Sequence, residues 1–141
     1  MPPTLEDALA LALEAHRGQR DKAGQTYILH PLRVMFRLET ETERMVALLH
    51  DVVEDSPYTL EQLRGLGYSE EVLGALECLT KREGEAYEAF IERVRPHPLA
   101  RRVKLADLED NMDVRRLPAL TEKDAQRLAR YRAAWARLKT E

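Results

Sequence analysis

His50 and Asp51 close an apolar stretch, Leu48-Leu49-His50-Asp51-Val52-Val53-Glu54-Asp55, in which four polar groups lie against a run of aliphatic side chains. Burying charge is costly unless something neutralises it, and a divalent cation would do so. Helical spacing puts His50 and Glu54 on one face and Asp51 and Asp55 on the adjacent one. His50 and Asp51 are thereby placed to grip one ion from neighbouring directions. Glu54 and Asp55 would lie one turn further on, to support the ligands or to move a proton. A His-Asp doublet alone arises often by chance, so the reading depends on what else the chain supplies.

Two other segments supply it. His30, in Tyr27-Ile28-Leu29-His30-Pro31, falls just before a helix at the mouth of the expected core, where it reads either as a ligand or as a capping or core histidine. In Val103-Lys104-Leu105-Ala106-Asp107-Leu108-Glu109-Asp110-Asn111, Asp107 and Asn111 are four apart and Lys104 shares their stripe. The plain alternative there is a Lys104–Asp107 surface pair, which is worth little. Together, His30, His50, Asp51 and Asp107 make a mixed nitrogen and oxygen set from three separated helices. Such a set suits Mn, Fe, Co, Ni or Zn better than Mg or Ca. Four protein ligands leave positions for water and a substrate oxygen, and a bound ion would lower the pKa of that water and polarise a phosphoryl group.

The elements that must carry these residues read as helices nearly throughout. Thr4 caps a first helix that runs through about residue 16, with Leu5, Ala8, Leu11, Ala12 and Ala15 on one stripe. Residues 18–26 are polar and contain glycine, which predicts a loop. Pro31 suits the first turn of a second helix. A third, over about residues 42–54, is apolar nearly all round and should be central. Thr59, Ser69 and Thr121 begin further helices, one spans about residues 85–95, and Pro98 opens another through about residue 113. Tyr131 and Trp135 read as core anchors of the last helix. No segment alternates like a strand. The expectation is an all-α bundle of about eight helices, with residues 1–141 forming one domain.

Composition narrows the setting. Lys and Arg total 22 against 25 Asp and Glu, a formal net charge of -3, without the basic surplus of a nucleic-acid binder. The single cysteine, Cys78, reads as a buried core thiol. No apolar run reaches transmembrane length and no signal peptide is evident. The expected protein is cytoplasmic, with no nucleic-acid or membrane partner, a small-molecule ligand and an oligomeric state left open.

The chain resembles the HD superfamily of metal-dependent phosphohydrolases, specifically the hydrolase domain of the RelA/SpoT alarmone enzymes and their stand-alone small relatives. The matching segments are Ala15-His16-Arg17-Gly18-Gln19, Tyr27-Ile28-Leu29-His30-Pro31, the Leu48–Asp55 run, Leu79-Thr80-Lys81, and Lys104-Leu105-Ala106-Asp107 with Asn111, in the family's order over about residues 8–115. The resemblance implies an all-α fold around one metal, often Mn2+, held by His30, His50, Asp51 and Asp107. It implies Glu54 and Asp55 as the pair that activates water, Asn111 facing the nucleotide, and Lys22 at a basic substrate position. His16 falls in a pocket motif, and Lys104 is a further candidate phosphate contact. The implied reaction is removal of pyrophosphate from the 3′ position of ppGpp or pppGpp. Asp21 stands where the family usually has Arg, and Leu108 and Asp110 replace an Arg and a His, so the base-recognition region is altered. The alternatives are an HD hydrolase of another nucleotide phosphate (a nicotinamide dinucleotide phosphate or a mononucleotide) and a nucleotide-binding module without turnover.

Overall fold

The computed structural model describes residues 1–140. Its helices are α1 (Leu5–Ala15), α2 (Leu29–Phe36), α3 (Glu41–Leu49), α4 (Val52–Asp55), α5 (Leu60–Gly65), α6 (Glu70–Leu79), α7 (Tyr87–Val94), α8 (Pro98–Asn111) and α9 (Glu122–Lys139), with a 3-10 turn at Val114–Arg116. The one-turn α4 continues α3 after a break, so the layout is the all-α bundle of about eight helices that the sequence predicts. Among the described residues the only β pairing is an isolated bridge between Arg20 and Thr26. No helix is long and apolar enough to cross a membrane.

Local chemistry explains where the helices begin. Thr4, Thr40, Thr59 and Thr121 each accept from the backbone N–H three residues on, and the residue at that position answers the cap's own N–H. Each such pair satisfies two of the donors that a helix start leaves orphaned. His97 caps α8 through Ala100 N–H, and Pro98 follows at the position where a missing donor costs nothing. α7 starts at Tyr87, later than expected, because Glu85 is drawn into an ion pair with Arg93 while accepting from Arg82 N–H. α2 starts at Leu29, so His30 sits within its first turn rather than before it.

α3 is the central element, and Val46, Ala47, Leu48 and Leu49 are all fully buried on it. It packs against α1, α2, α6 and α8, and α9 lies along α8 and α7. The expected helix over about residues 42–54 does not run unbroken. His50 ends α3 and Asp51 caps α4. His50 Nδ1 donates to the Ala47 carbonyl at 2.6 Å, the acceptor that Asp51 N–H would take in a continuous helix. The break lets two consecutive side chains turn toward one point.

Three smaller expectations resolve differently. Cys78 is half-buried, not a core thiol, on the edge of α6. Tyr131 and Trp135 are also half-buried against the core, and Trp135 Nε1 donates to Glu109 at 2.9 Å. Residues 18–26 do form a loop, and Asp21 organises it by accepting from Ala23 N–H and Gln25 N–H, both at 2.9 Å. Gly24, at φ +80°, supplies the left-handed turn that this loop requires.

Candidate metal centre

α2 contributes His30, the end of α3 His50, the break Asp51, and the middle of α8 Asp107. His30 Nε2 lies 2.8 Å from Asp107 Oδ1, and His50 Nε2 lies 3.3 Å from the same oxygen. Asp51 Oδ2 is 3.2 Å from His50 Nε2 and 3.9 Å from His30 Nε2. One donor atom from each of His30, His50 and Asp107 falls within 4.8 Å of the others, and all three residues are buried. These distances bring together residues 77 and 57 positions apart in the chain.

The opposite ring nitrogens are already engaged. His50 Nδ1 donates to the Ala47 carbonyl, and His30 Nδ1 donates to Asp110 Oδ2 at 2.6 Å. Fixing Nδ1–H means that each ring, once it gives up its second proton to a metal, offers its lone pair from Nε2, the arrangement of metal-ligating histidines. Asp51 is oriented by Tyr27, whose hydroxyl donates to its Oδ2.

The electrostatics call for positive charge at the centre. Burial of the His30 ring opposes its charge, but the carboxylates of Asp107 and Asp110 outweigh that and raise it to about 9. His50 is likewise raised against its burial, by Asp51 and Asp107. Burial works against ionised Asp107 too, yet Lys104 and the two imidazoles hold it well below the usual carboxylate range. Protonated imidazoles thus supply the charge that a divalent cation would supply to the same donors. Two imidazoles and two carboxylates fit a borderline divalent transition metal, and these residues could hold one.

Above the donors opens a cleft of about 540 Å³. Arg20, Lys22, Arg33, Lys81, Arg127 and Arg130 lie along it, with Tyr27, Tyr87, Phe90 and Tyr131 as its aromatic walls. Glu54 and Asn111 reach this cleft as well. Glu54 accepts from Lys81 N–H at 2.6 Å, and its partial burial raises its pKa above the ordinary value. Asp55 is raised by burial and by Asp51, but it is not among the cleft-lining residues, and its main-chain carbonyl accepts from Gln19. Asn111 donates to Asp107 Oδ1 at 3.3 Å. Lys104 is buried, 2.9 Å from Asp107 Oδ2 and 5.2 Å above the Phe90 ring, so its pair with Asp107 is not a surface one. Lys22 stands at the rim, lowered by burial and by neighbouring Arg127 and Arg130. His16 is buried behind Tyr27, with ring centroids 4.9 Å apart. Its Nδ1 lies 2.8 Å from Gln19 Oε1, while its Nε2 has no partner among the described residues.

Sequence reasoning did not single out Tyr27, Arg33, Arg127 or Arg130, and it treated Asp110 only as a departure from a pattern. The signals were faint. Tyr27 stands three residues before His30, and Asp110 three after Asp107 on the same helix face. The α9 cations carried no signal, because nothing local says that α9 folds back over α8.

An all-helical protein with two histidines and two aspartates gathered beneath a cation-rimmed cleft defines the class: a helical scaffold built around a candidate metal centre. No protein-family model matches the chain. It is 37% identical over 134 residues to the guanosine-3′,5′-bis(diphosphate) 3′-pyrophosphohydrolase of Haemophilus influenzae, covering 85% of this chain and 20% of that protein. It is 36% identical over 141 residues to the bifunctional (p)ppGpp synthase/hydrolase SpoT of Escherichia coli, covering 89% of this chain and 20% of that protein. A solved structure of a metazoan orthologue of SpoT, which hydrolyses ppGpp and plays a role in starvation responses, superposes with a TM-score of 0.81 at 25% identity, over 99% of this chain and 88% of that one. Over 85–89% of its length the chain is homologous to one stretch of these SpoT-type proteins. It spans about one fifth of the length of the curated relatives it matches.

Proposed function

We propose that this chain is a metal-dependent phosphohydrolase that removes pyrophosphate from the ribose 3′ position of (p)ppGpp. The observation that carries the reading is the convergence of His30 Nε2, His50 Nε2, Asp107 and Asp51 at the floor of a cleft rimmed by cations. The homology to SpoT-type hydrolases supports the same substrate. His30, His50, Asp51 and Asp107 are the ligands in this reading, and Mn2+ is the favoured ion. An ion held by these residues would supply Lewis acidity, lowering the pKa of a water and polarising a phosphoryl oxygen.

The chain's own residues do the rest. Of the acidic pair, Glu54 is the one on the cleft wall, so it takes the proton of the attacking water, with Asp55 beside it. Water adds to the phosphorus attached to the 3′ oxygen, that P–O bond breaks, and the oxygen recovers a proton as pyrophosphate leaves. Lys22 and Asn111 face the substrate and the rim arginines balance its phosphates. Lys104 neutralises Asp107 from behind and points its charge into the same cleft. His16 backs Tyr27 and through it Asp51. We read the whole chain as one HD-type domain acting in the cytoplasm.

A second reading, hydrolysis of another nucleotide phosphate, is favoured by Asp21. Its Oδ1 is occupied by two backbone donors, so the residue shapes the loop instead of offering a cation to a guanine base. The test is an assay with added Mn2+ against ppGpp, pppGpp, a nicotinamide dinucleotide phosphate and mononucleotides, with Asp51→Asn alongside. Pyrophosphate release from ppGpp that falls at least about 100-fold in Asp51→Asn is the expected result. Release only from another nucleotide would select the second reading. Tight nucleotide binding without product would select a binding module, and wild type and mutant silent alike would refute hydrolysis.

A further inference from the structure

Asp110 is fully buried, on the α8 turn after Asp107. An isolated buried carboxylate is costly, and here both oxygens are spent. Oδ2 accepts from His30 Nδ1 at 2.6 Å, and Oδ1 accepts from Arg33 Nε at 2.8 Å. Arg116 closes the group, with Nη1 3.6 Å from Oδ1 and Nη2 donating to the Asp110 carbonyl at 3.2 Å. Arg33 and Arg116 both lie along the cleft, and Arg33 Nη2 is buried with no partner among the described residues. One carboxylate thus joins a candidate metal ligand to two cations of the substrate wall.

We infer that Asp110 is a positioning residue, which presents His30 Nε2 to the metal while holding Arg33 and Arg116 against the cleft. The inference rests on the metal-centre reading and extends it to a residue outside the ligand set. The physical reason is tautomeric. An imidazole that donates from Nδ1 to a carboxylate keeps its lone pair on Nε2, and Nε2 is the atom that faces Asp107 and Asp51. The same bond stops the ring from turning about its Cβ–Cγ axis. Arg33 and Arg116 balance the charge of Asp110, which is how a carboxylate can remain ionised with no exposed surface.

The alternative is a plain ion-pair tie between α2 and α8, which would affect stability and nothing else. Calorimetric titration with Mn2+ distinguishes the two. Asp110→Asn should weaken Mn2+ by about 10- to 100-fold, the range seen when a carboxylate behind a ligating histidine is removed. Glu43→Gln is the control: it loses the Arg102 ion pair that ties α3 to α8 away from the centre, and it should leave Mn2+ affinity within about threefold. A second measurement needs no variant. With Zn2+ as the diamagnetic ion, the nitrogen-15 spectrum of wild type should show His30 protonated at Nδ1. Mn2+ affinity unchanged in Asp110→Asn, or His30 protonated at Nε2 in wild type, would overturn the inference. Wild type that binds neither ion would instead refute the metal reading on which it rests.

Discussion

Replacing Lys104 by Met keeps the apolar stem of the side chain and removes its charged end. Lys104 and Asp107 are both buried, with side-chain exposures of 13% and 6%, and their contact is 2.9 Å. Removing one member of a buried pair generally costs about 3–5 kcal/mol, because the other is left uncompensated. Asp107 Oδ1 keeps His30 and His50 within hydrogen-bond reach, while Oδ2 loses its only partner, so the cost belongs near the low end, at about 3 kcal/mol. For a chain of this size that is a fall in Tm of about 10 °C. The assay is thermal unfolding followed by circular dichroism, in EDTA and in saturating Mn2+. A cation shared by Asp107 replaces part of the lost charge, so the fall should be less than half as large with Mn2+ present. Wild type and Lys104→Met within about 2 °C of each other in EDTA would refute the buried-pair argument. A fall of equal size with and without Mn2+ would refute the view that the lysine and the metal balance the same carboxylate.

Two predictions concern pH. Partial burial raises Glu54 above its ordinary value of 4.5. If it accepts the proton of the attacking water, the acid limb of kcat/KM should lie above pH 4.5, with activity falling as pH drops through it. The pH–rate profile of wild type beside Glu54→Gln measures this, and the variant should lose both the limb and most of its activity. Arg93 holds Glu85 down to about 2, so the pair's stabilisation is fully present above the unfolded value near 4.5 and is lost as pH falls through about 2. The Tm of Glu85→Gln should accordingly lie below wild type at pH 7, and the gap should narrow as pH falls toward 2 and close only below it, as scanning calorimetry would show.

Much of the scaffold was legible because its signals are local. The threonine and serine caps, Pro98 and the aliphatic run through Leu48 and Leu49 act within a turn or two of their own position, and the helices start close to where those residues place them. The break between α3 and α4 was not legible. It depends on the His50 ring taking the Ala47 carbonyl, a choice that matters only because Asp51 must also turn toward His30 and Asp107. Tyr131 and Trp135 have helical spacing, which says that they share a face but not that the face borders a cleft. Asp110 looked like a lost pattern residue until the fold set His30 and Arg33 against it.

Residue type and spacing alone determined the all-helical scaffold and named four candidate donors, since helix signals lie between near neighbours and imidazoles and carboxylates are the side chains able to hold a hard or borderline cation. Only the tertiary structure decided which partners those donors have. Lys104 became a buried counter-charge, Tyr27 the brace of Asp51, Asp110 the brace of His30, and α9 the far wall of the cleft. Each of these depends on contacts between helices distant in sequence. Such contacts are set by how α2, α3, α8 and α9 pack, and no local pattern in the chain records that.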